Sequence, residues 1–165
     1  MPRKNSASNP KAKADLDADQ IVEGLWQGSF PPEGPTLRTL GFDILVLCAE
    51  EYQPASEEFF GLRVIHVPFD DDFEDPPSSR SLQLIFRASW FLTSEIKKGR
   101  KALVTCWAGH NRSGLVNAFT LHHLLGMSGR EAVQTIQKRR KGALSNPLFR
   151  DLICRMDGPT TTPTT

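Results

Sequence analysis

The sequence predicts an α/β fold, a mostly parallel sheet whose strands are joined through helices, and three observations lead to it. Short apolar runs alternate along the chain with stretches of helical period, the order expected when each strand is followed by a helix. The run Asp43-Ile44-Leu45-Val46-Leu47-Cys48 is nearly continuous in apolar residues, as a strand covered on both faces is. With 165 residues, 39% of them hydrophobic, the chain suits one compact core and leaves no room for a second full domain.

In order along the chain, residues 1–19 mix Lys, Ser, Asn, Ala and Pro with almost nothing to bury, and residues 157–165 end in TTTPTT. Both read as tails, so the folded part is expected over 20–156. The segment IVEGLWQGS alternates enough for a strand beginning near Ile21, and Asp43–Cys48 is the second. Val64-Ile65-His66-Val67-Pro68-Phe69 is the third strand, and Ala102-Leu103-Val104-Thr105 a short, central fourth. Between these last two, Leu82, Ile85, Phe86, Ser89, Leu92 and Ile96 recur at helical spacing, and Lys97, Lys98 and Gly99 end the helix. From Arg112 onward a helix apolar on most sides runs to Gly126. Ser128 and Glu131 form a capping box that opens another helix, with Ala132, Val133 and Ile136 inward. A final short helix starts near Asn146 and Pro147 and is expected to bury Leu148, Leu152 and Ile153. Trp90 and Phe91 read as core.

Charge and cysteine content exclude several classes. Lys plus Arg number 20 against 19 for Asp plus Glu, and a net charge of +1 supplies no global field for nucleic acid or a membrane surface. Three scattered cysteines, Cys48, Cys106 and Cys154, are neither a disulfide framework nor a zinc-ligand pattern, which suits a reducing compartment. No apolar run follows the basic start and none approaches membrane-span length, so an unexported, cytoplasmic protein is expected, with a nuclear location open. His122 and His123 are adjacent on a helix and point in different directions, which argues against joint metal ligation.

The informative segment is Val104-Thr105-Cys106-Trp107-Ala108-Gly109-His110-Asn111-Arg112-Ser113-Gly114, between a predicted strand and a predicted helix. A loop at a helix N-terminus has unpaired backbone N–H groups that form a nest for a phosphate dianion. Gly109 lets the loop turn tightly, and Arg112 offers a planar pair of donors to phosphate oxygens. A cysteine at the start of such a loop is surrounded by amides and the helix dipole, which favour the nucleophilic thiolate. A lone cysteine ending a strand usually just fills space; here Gly109, Arg112 and Ser113 accompany it. Asp70-Asp71-Asp72 directly follows the third strand and falls at the same carboxyl edge of the sheet, where one carboxyl can serve as general acid.

Cys106-x5-Arg112-Ser113, the upstream Pro68-Phe69-Asp70-Asp71 and the opening Gly24-Leu25-Trp26-Gln27-Gly28-Ser29 together resemble the dual-specificity branch of the cysteine-dependent protein tyrosine phosphatases. The likeness runs from about Gln20 to Ile153 and includes Asn146-Pro147-Leu148-Phe149. It implies a three-layer phosphatase fold with a central four- to five-stranded sheet flanked by helices, and a metal-free, cofactor-free reaction through a phosphocysteine intermediate. Cys106 is then the nucleophile, Arg112 the phosphate clamp and Ser113 the partner of the returning thiolate, with loop residues Trp107, Ala108, Gly109, His110 and Asn111 binding substrate. The family register puts the acid on Asp71, with Asp70 or Asp72 as fallback. The implied partner is a phosphorylated protein bearing phosphotyrosine, and phosphoserine or phosphothreonine besides; a monomer suffices, with no membrane.

Three departures qualify the resemblance. The family carries His before the cysteine where this chain has Thr105, so activity is expected to be lower but real. Cys48, in Leu47-Cys48-Ala49-Glu50, resembles the strand-end cysteine of phosphatase-and-tensin type lipid phosphatases, which implies a reversible disulfide with Cys106; a buried small apolar residue is the competing role. The loop lacks the lysines of those lipid enzymes. Asn111 before the arginine is shared with RNA 5′-triphosphatases of the superfamily, and Lys138-Arg139-Arg140-Lys141 is either charge for 5′-phosphorylated RNA or a solvated helix end. Another non-protein phosphatase on the same scaffold is a further alternative, and a phosphate-binding module without turnover is the alternative from outside the enzymes.

Overall fold

The computed structural model describes residues 16–157. Its five strands are β1 (Ala18–Val22), β2 (Leu25–Gly28), β3 (Ile44–Ala49), β4 (Arg63–Phe69) and β5 (Ala102–Thr105), arranged β1-β2-β5-β3-β4. β2, β5, β3 and β4 run parallel, and β1 pairs antiparallel with β2. The sheet is thus mixed and mostly parallel. Its helices are α1 (Gly34–Thr39), α2 (Ser79–Lys97), α3 (Arg112–Leu125), α4 (Gly129–Arg139) and α5 (Pro147–Cys154).

The continuous apolar runs take the two central places: every residue of β3 and β5 is buried. On one face Ile44, Val46, Cys48 and Val104 meet Ile85 and Leu92 of α2, Leu115 and Phe119 of α3, Ile136 of α4 and Phe149 of α5. On the other, Leu45, Leu47 and Leu103 meet a smaller cluster of Leu37 from α1, Phe42 and Phe59. Each fully buried Leu, Ile or Phe contributes on the order of 1.5–3 kcal/mol, so the helical face carries most of the burial energy.

Local chemistry sets the helix ends as the sequence reading expects. The Ser128 side chain accepts from Glu131 N–H while the Glu131 carboxylate accepts from Ser128 N–H, and Gly126 ends α3 at a left-handed φ of 65°. Ten successive residues of α3, Arg112 to Leu121, are buried, because α2, α4 and α5 enclose the helix against the sheet.

Five expectations need correction. The stretch beginning at Ile21 is a hairpin rather than one strand: Gly24, at φ +80°, turns the chain between β1 and β2. Leu16–Asp19, expected as tail, belongs to the fold, since Leu16 and Ala18 pack on the smaller cluster and Asp17 and Asp19 bond Arg140. Asp157, also expected as tail, accepts from the Gly129 and Arg130 N–H groups at the start of α4; the rest of the expected tails, 1–15 and 158–165, lies outside the described residues. In α5 the buried residues are Phe149 and Ile153, with Leu148 and Leu152 half-buried. Trp90 is not core either: it is 58% exposed and stacks on His123, ring centroids 3.8 Å apart. It lies off the α2 face that carries Ile85 and Leu92.

Candidate active site

Parallel pairing places the carboxyl ends of β2, β5, β3 and β4 on one edge, so the loops after Gly28, Thr105, Ala49 and Phe69 converge there. The β5 loop starts with Cys106, which is 5% exposed, and leads into α3 at Arg112. Cys106 Sγ lies 3.3 Å from Ser113 Oγ, so the hydroxyl is placed to donate to a thiolate. Gly109 takes φ +70°; a Cβ there would lie 2.4 Å from the Gly28 carbonyl carbon and 2.5 Å from Ser29 N, so the loop passes closer to β2 than any side chain permits.

Arg112 is 6% exposed. Its two terminal nitrogens take the Glu51 carboxylate bidentately, Nη1 to Oε2 at 2.5 Å and Nη2 to Oε1 at 2.6 Å, and Nη1 also donates to Phe69 O at 3.1 Å. Nε is buried without a hydrogen-bond partner among the described residues. The guanidinium is therefore fixed on one edge by the β3 loop and leaves its Nε edge for an anion. Burial works against its charge, but Glu51, Cys106 and Asp71 outweigh it, and Arg112 is held above its ordinary pKa.

Glu51 is one residue of the site that the sequence does not announce. Its only sequence signal is a carboxylate just past a buried strand on the site edge; its partner is 61 positions away. The hydrogen bonds from Arg112 hold the Glu51 carboxyl below its ordinary range against a smaller opposing effect of burial, and those from Arg140 do the same for Asp17. A carboxyl depressed in the fold adds stability above its unfolded pKa and loses it as the pH falls through the folded value. The melting temperature is therefore expected to drop as the pH is taken from neutrality to below about 4, and to drop less in Glu51→Gln. Thermal denaturation at the two pH values checks this; an equal drop in both proteins contradicts the pairing.

Asp71 is held from two sides. Asn111 Nδ2 donates to Oδ2 at 2.9 Å and Asn146 Nδ2 donates to Oδ1 at 2.8 Å. Asn111 Oδ1 in turn accepts from Asn146 N–H and from Ser145 Oγ–H. The cysteine loop, the β4 loop and the start of α5 are thus tied into one network whose centre is the Asp71 carboxylate. Asp70 and Asp72 are otherwise engaged, Asp70 with the Asp71 N–H and Asp72 with the Glu74 and Asp75 N–H groups.

The remaining loop residues take different places. Trp107 (60% exposed) and Ala108 are at the surface, His110 is half-buried against Gly142, and the Asn111 side chain faces Asp71 rather than the loop centre. Trp107 packs edge-on against Phe30, which tilts over Tyr52 at a centroid distance of 4.1 Å; these three rings line one crevice with Cys106 and Cys48. Thr105 donates its hydroxyl to Val46 O at 3.0 Å and so ties β5 to β3. Cys48 is fully buried, and burial, with the nearby Cys106, pushes its thiol well up. That disfavours the thiolate a disulfide exchange needs and suits the packing role. In the basic run, Lys138, Arg139 and Lys141 are exposed while Arg140 is buried. His122 Nδ1 bonds Met127 O. Among the described residues, no helix is long and apolar enough to cross a membrane.

No family model matches the chain. Among curated proteins, "MAP kinase phosphatase with leucine-rich repeats protein 3" of Dictyostelium discoideum is 26% identical over 140 residues, 84% of this chain. The match spans only 16% of that protein's length. Among solved structures, Tk-PTP in its active form is 25% identical with a TM-score of 0.70, over 86% of this chain and 96% of its own. Human DUSP28 superposes at 0.70 with 22% identity, over 84% and 91% of the two chains. PTPMT1 in complex with PI(5)P superposes at 0.72 with 20% identity, over 84% and 93%. The mixed five-stranded sheet flanked by helices is the dual-specificity-phosphatase-like fold, and in sequence and architecture the chain resembles the dual-specificity branch of the cysteine-dependent protein tyrosine phosphatases.

Proposed function

We propose that the protein is a cysteine-dependent phosphoric monoester hydrolase acting on phosphotyrosine, with phosphoserine and phosphothreonine as further substrates. The observation that carries this reading is the buried Arg112 guanidinium, clamped on one edge by Glu51 and with Nε left over, at the head of the helix that follows Cys106. The Cys106 thiolate attacks phosphorus in line with the leaving oxygen, while Arg112 and the loop amides hold the charge on the equatorial oxygens. As the phosphorus–oxygen ester bond breaks, protonated Asp71 gives its proton to the departing oxygen. Water then attacks the phosphocysteine and surrenders a proton to Asp71; the sulfur–phosphorus bond breaks and Ser113 donates to the thiolate.

The surroundings favour a single phosphate on an aryl group. Phe30, Tyr52 and Trp107 stand beside Cys106, and aromatic rings pair well with another ring. The neighbouring loops carry Glu50, Glu51, Asp70, Asp72, Glu74 and Asp75, and residues 107–111 include no lysine. Carboxylates in that number repel a polyphosphate, which weighs against the RNA 5′-triphosphatase and phosphoinositide readings. The loss of Arg140 to internal bonds weighs the same way.

The test is phosphate release from a phosphotyrosine peptide, a phosphoserine peptide, triphosphorylated RNA and a phosphoinositide. The phosphotyrosine peptide is expected to turn over fastest; RNA as the best substrate contradicts the reading. Asp71→Asn is expected to lower kcat on the peptide by about 10²–10³, and far less on p-nitrophenyl phosphate, whose leaving group needs little protonation. An equal loss on both esters removes Asp71 as the acid.

A further inference from the structure

Behind the cysteine loop stand two buried side chains that belong to none of the reacting groups. Gln27, at the end of β2 and fully buried, donates through Nε2 to Gly109 O at 3.0 Å and to His110 O at 3.3 Å. Arg140, just past α4 and 4% exposed, donates Nε to Gly109 O at 2.6 Å and Nη2 to Ala108 O at 3.1 Å. Its other bonds go to β1 and the residue before it: Nη1 to Asp17 Oδ1 at 3.2 Å and Asp19 Oδ2 at 2.9 Å, and Nη2 to Asp17 Oδ2 at 3.0 Å. Gln27 is itself oriented by Asn117 Nδ2, which donates to its Oε1 at 3.2 Å.

A buried guanidinium is costly unless its donors are met, and a buried amide likewise. Here Gln27 spends both of its donor bonds, and Arg140 two of its five, on the backs of three consecutive peptides, 108–109, 109–110 and 110–111. In a planar trans peptide the carbonyl and the N–H point in opposite directions. Pinning the carbonyls of Ala108, Gly109 and His110 therefore turns the N–H groups of Gly109, His110 and Asn111 to the other side, and no described residue accepts from them. We infer that Gln27 and Arg140 are positioning residues that aim three loop amides at the oxygens of a bound phosphoryl group, with Asp17 and Asp19 holding Arg140 in place. Amides aimed in advance need no reorganisation as charge develops, so their benefit falls on the transition state.

The inference rests on the phosphatase reading but is read separately from it. Wild type, Gln27→Leu, Arg140→Lys, Arg140→Met and the double variant Asp17→Asn, Asp19→Asn are compared for phosphotyrosine-peptide kinetics, orthovanadate affinity and melting temperature. Direct removal of an oxyanion donor costs about 10²–10³ in kcat, so a misaimed set is expected to cost about tenfold in kcat and in vanadate affinity, with KM changed less than about threefold. Arg140→Lys, which keeps a donor, falls between wild type and Arg140→Met. Gln27→Leu keeps the volume and carries the test if the Arg140 variants do not fold. A folded Gln27→Leu with a lower melting temperature but wild-type kcat and vanadate affinity assigns these residues to stability alone and overturns the inference. If wild type binds vanadate without turning over, the phosphatase reading fails and vanadate affinity still decides the positioning role; if it binds no vanadate, both fall.

Discussion

Cys106→Ser is expected to abolish turnover, by at least about 10⁴-fold, while leaving a phosphotyrosine peptide bound as tightly as wild type binds it or more so. The serine oxygen fits the sulfur's place opposite Ser113, and Arg112 and the loop carbonyls keep their partners, so the binding determinants survive. What is lost is the nucleophile, because an alcohol oxygen is a far weaker attacking group than a cysteine sulfur. Phosphate release gives the first half of the result and calorimetric titration of the variant with the peptide the second. Residual turnover within tenfold of wild type removes Cys106 from the mechanism.

Arg112→Lys is expected to lower kcat by about 10²–10³ and to cost about 1 kcal/mol of stability. A lysine ammonium is one point of charge, whereas Arg112 meets Glu51 with two nitrogens, Phe69 O with one of them and keeps Nε over. No single rotamer of lysine reproduces that fork, so either Glu51 or the phosphoryl group goes without its donor. Steady-state kinetics and thermal denaturation measure the two effects. A lysine variant with wild-type kcat shows that planar recognition is irrelevant here.

How far the sequence could be read depended on the distance over which each feature is encoded. β3, β5, α2, α3 and α4 are written in contiguous periodic or apolar runs with caps beside them, and Cys106, Arg112 and Ser113 lie within one short segment. The hairpin at Gly24 is hard to see because only Glu23 and Gly24 separate the apolar Ile21-Val22 from Leu25-Trp26, and α1 is only six residues long, too short to show a period. Glu51, Gln27 and Arg140 are polar residues whose partners are 61, 82 and 31 positions away, and nothing local distinguishes them from surface residues. The run at Lys138 to Lys141 shows the limit of reading charge by composition: two of its readings assumed a solvated or ligand-facing cluster, and its third member is an interior residue.

The same network gives the site its shape. Glu51 from the loop after β3, Asn111 from the cysteine loop and Asn146 at the N-cap of α5 fix Arg112 and the candidate acid, and each comes from a different segment. A carboxylate held by two side-chain amides has little rotational freedom, which suits a group that must meet one leaving oxygen.

The most direct measurement is a crystal structure of the protein grown with orthovanadate at neutral pH. The account predicts vanadium bonded to Cys106 Sγ, its equatorial oxygens on Arg112 Nε and the loop amides, and an apical oxygen within hydrogen-bond reach of Asp71. Vanadate seated elsewhere, or a loop whose amides turn away while Arg112 stays on Glu51 alone, contradicts it.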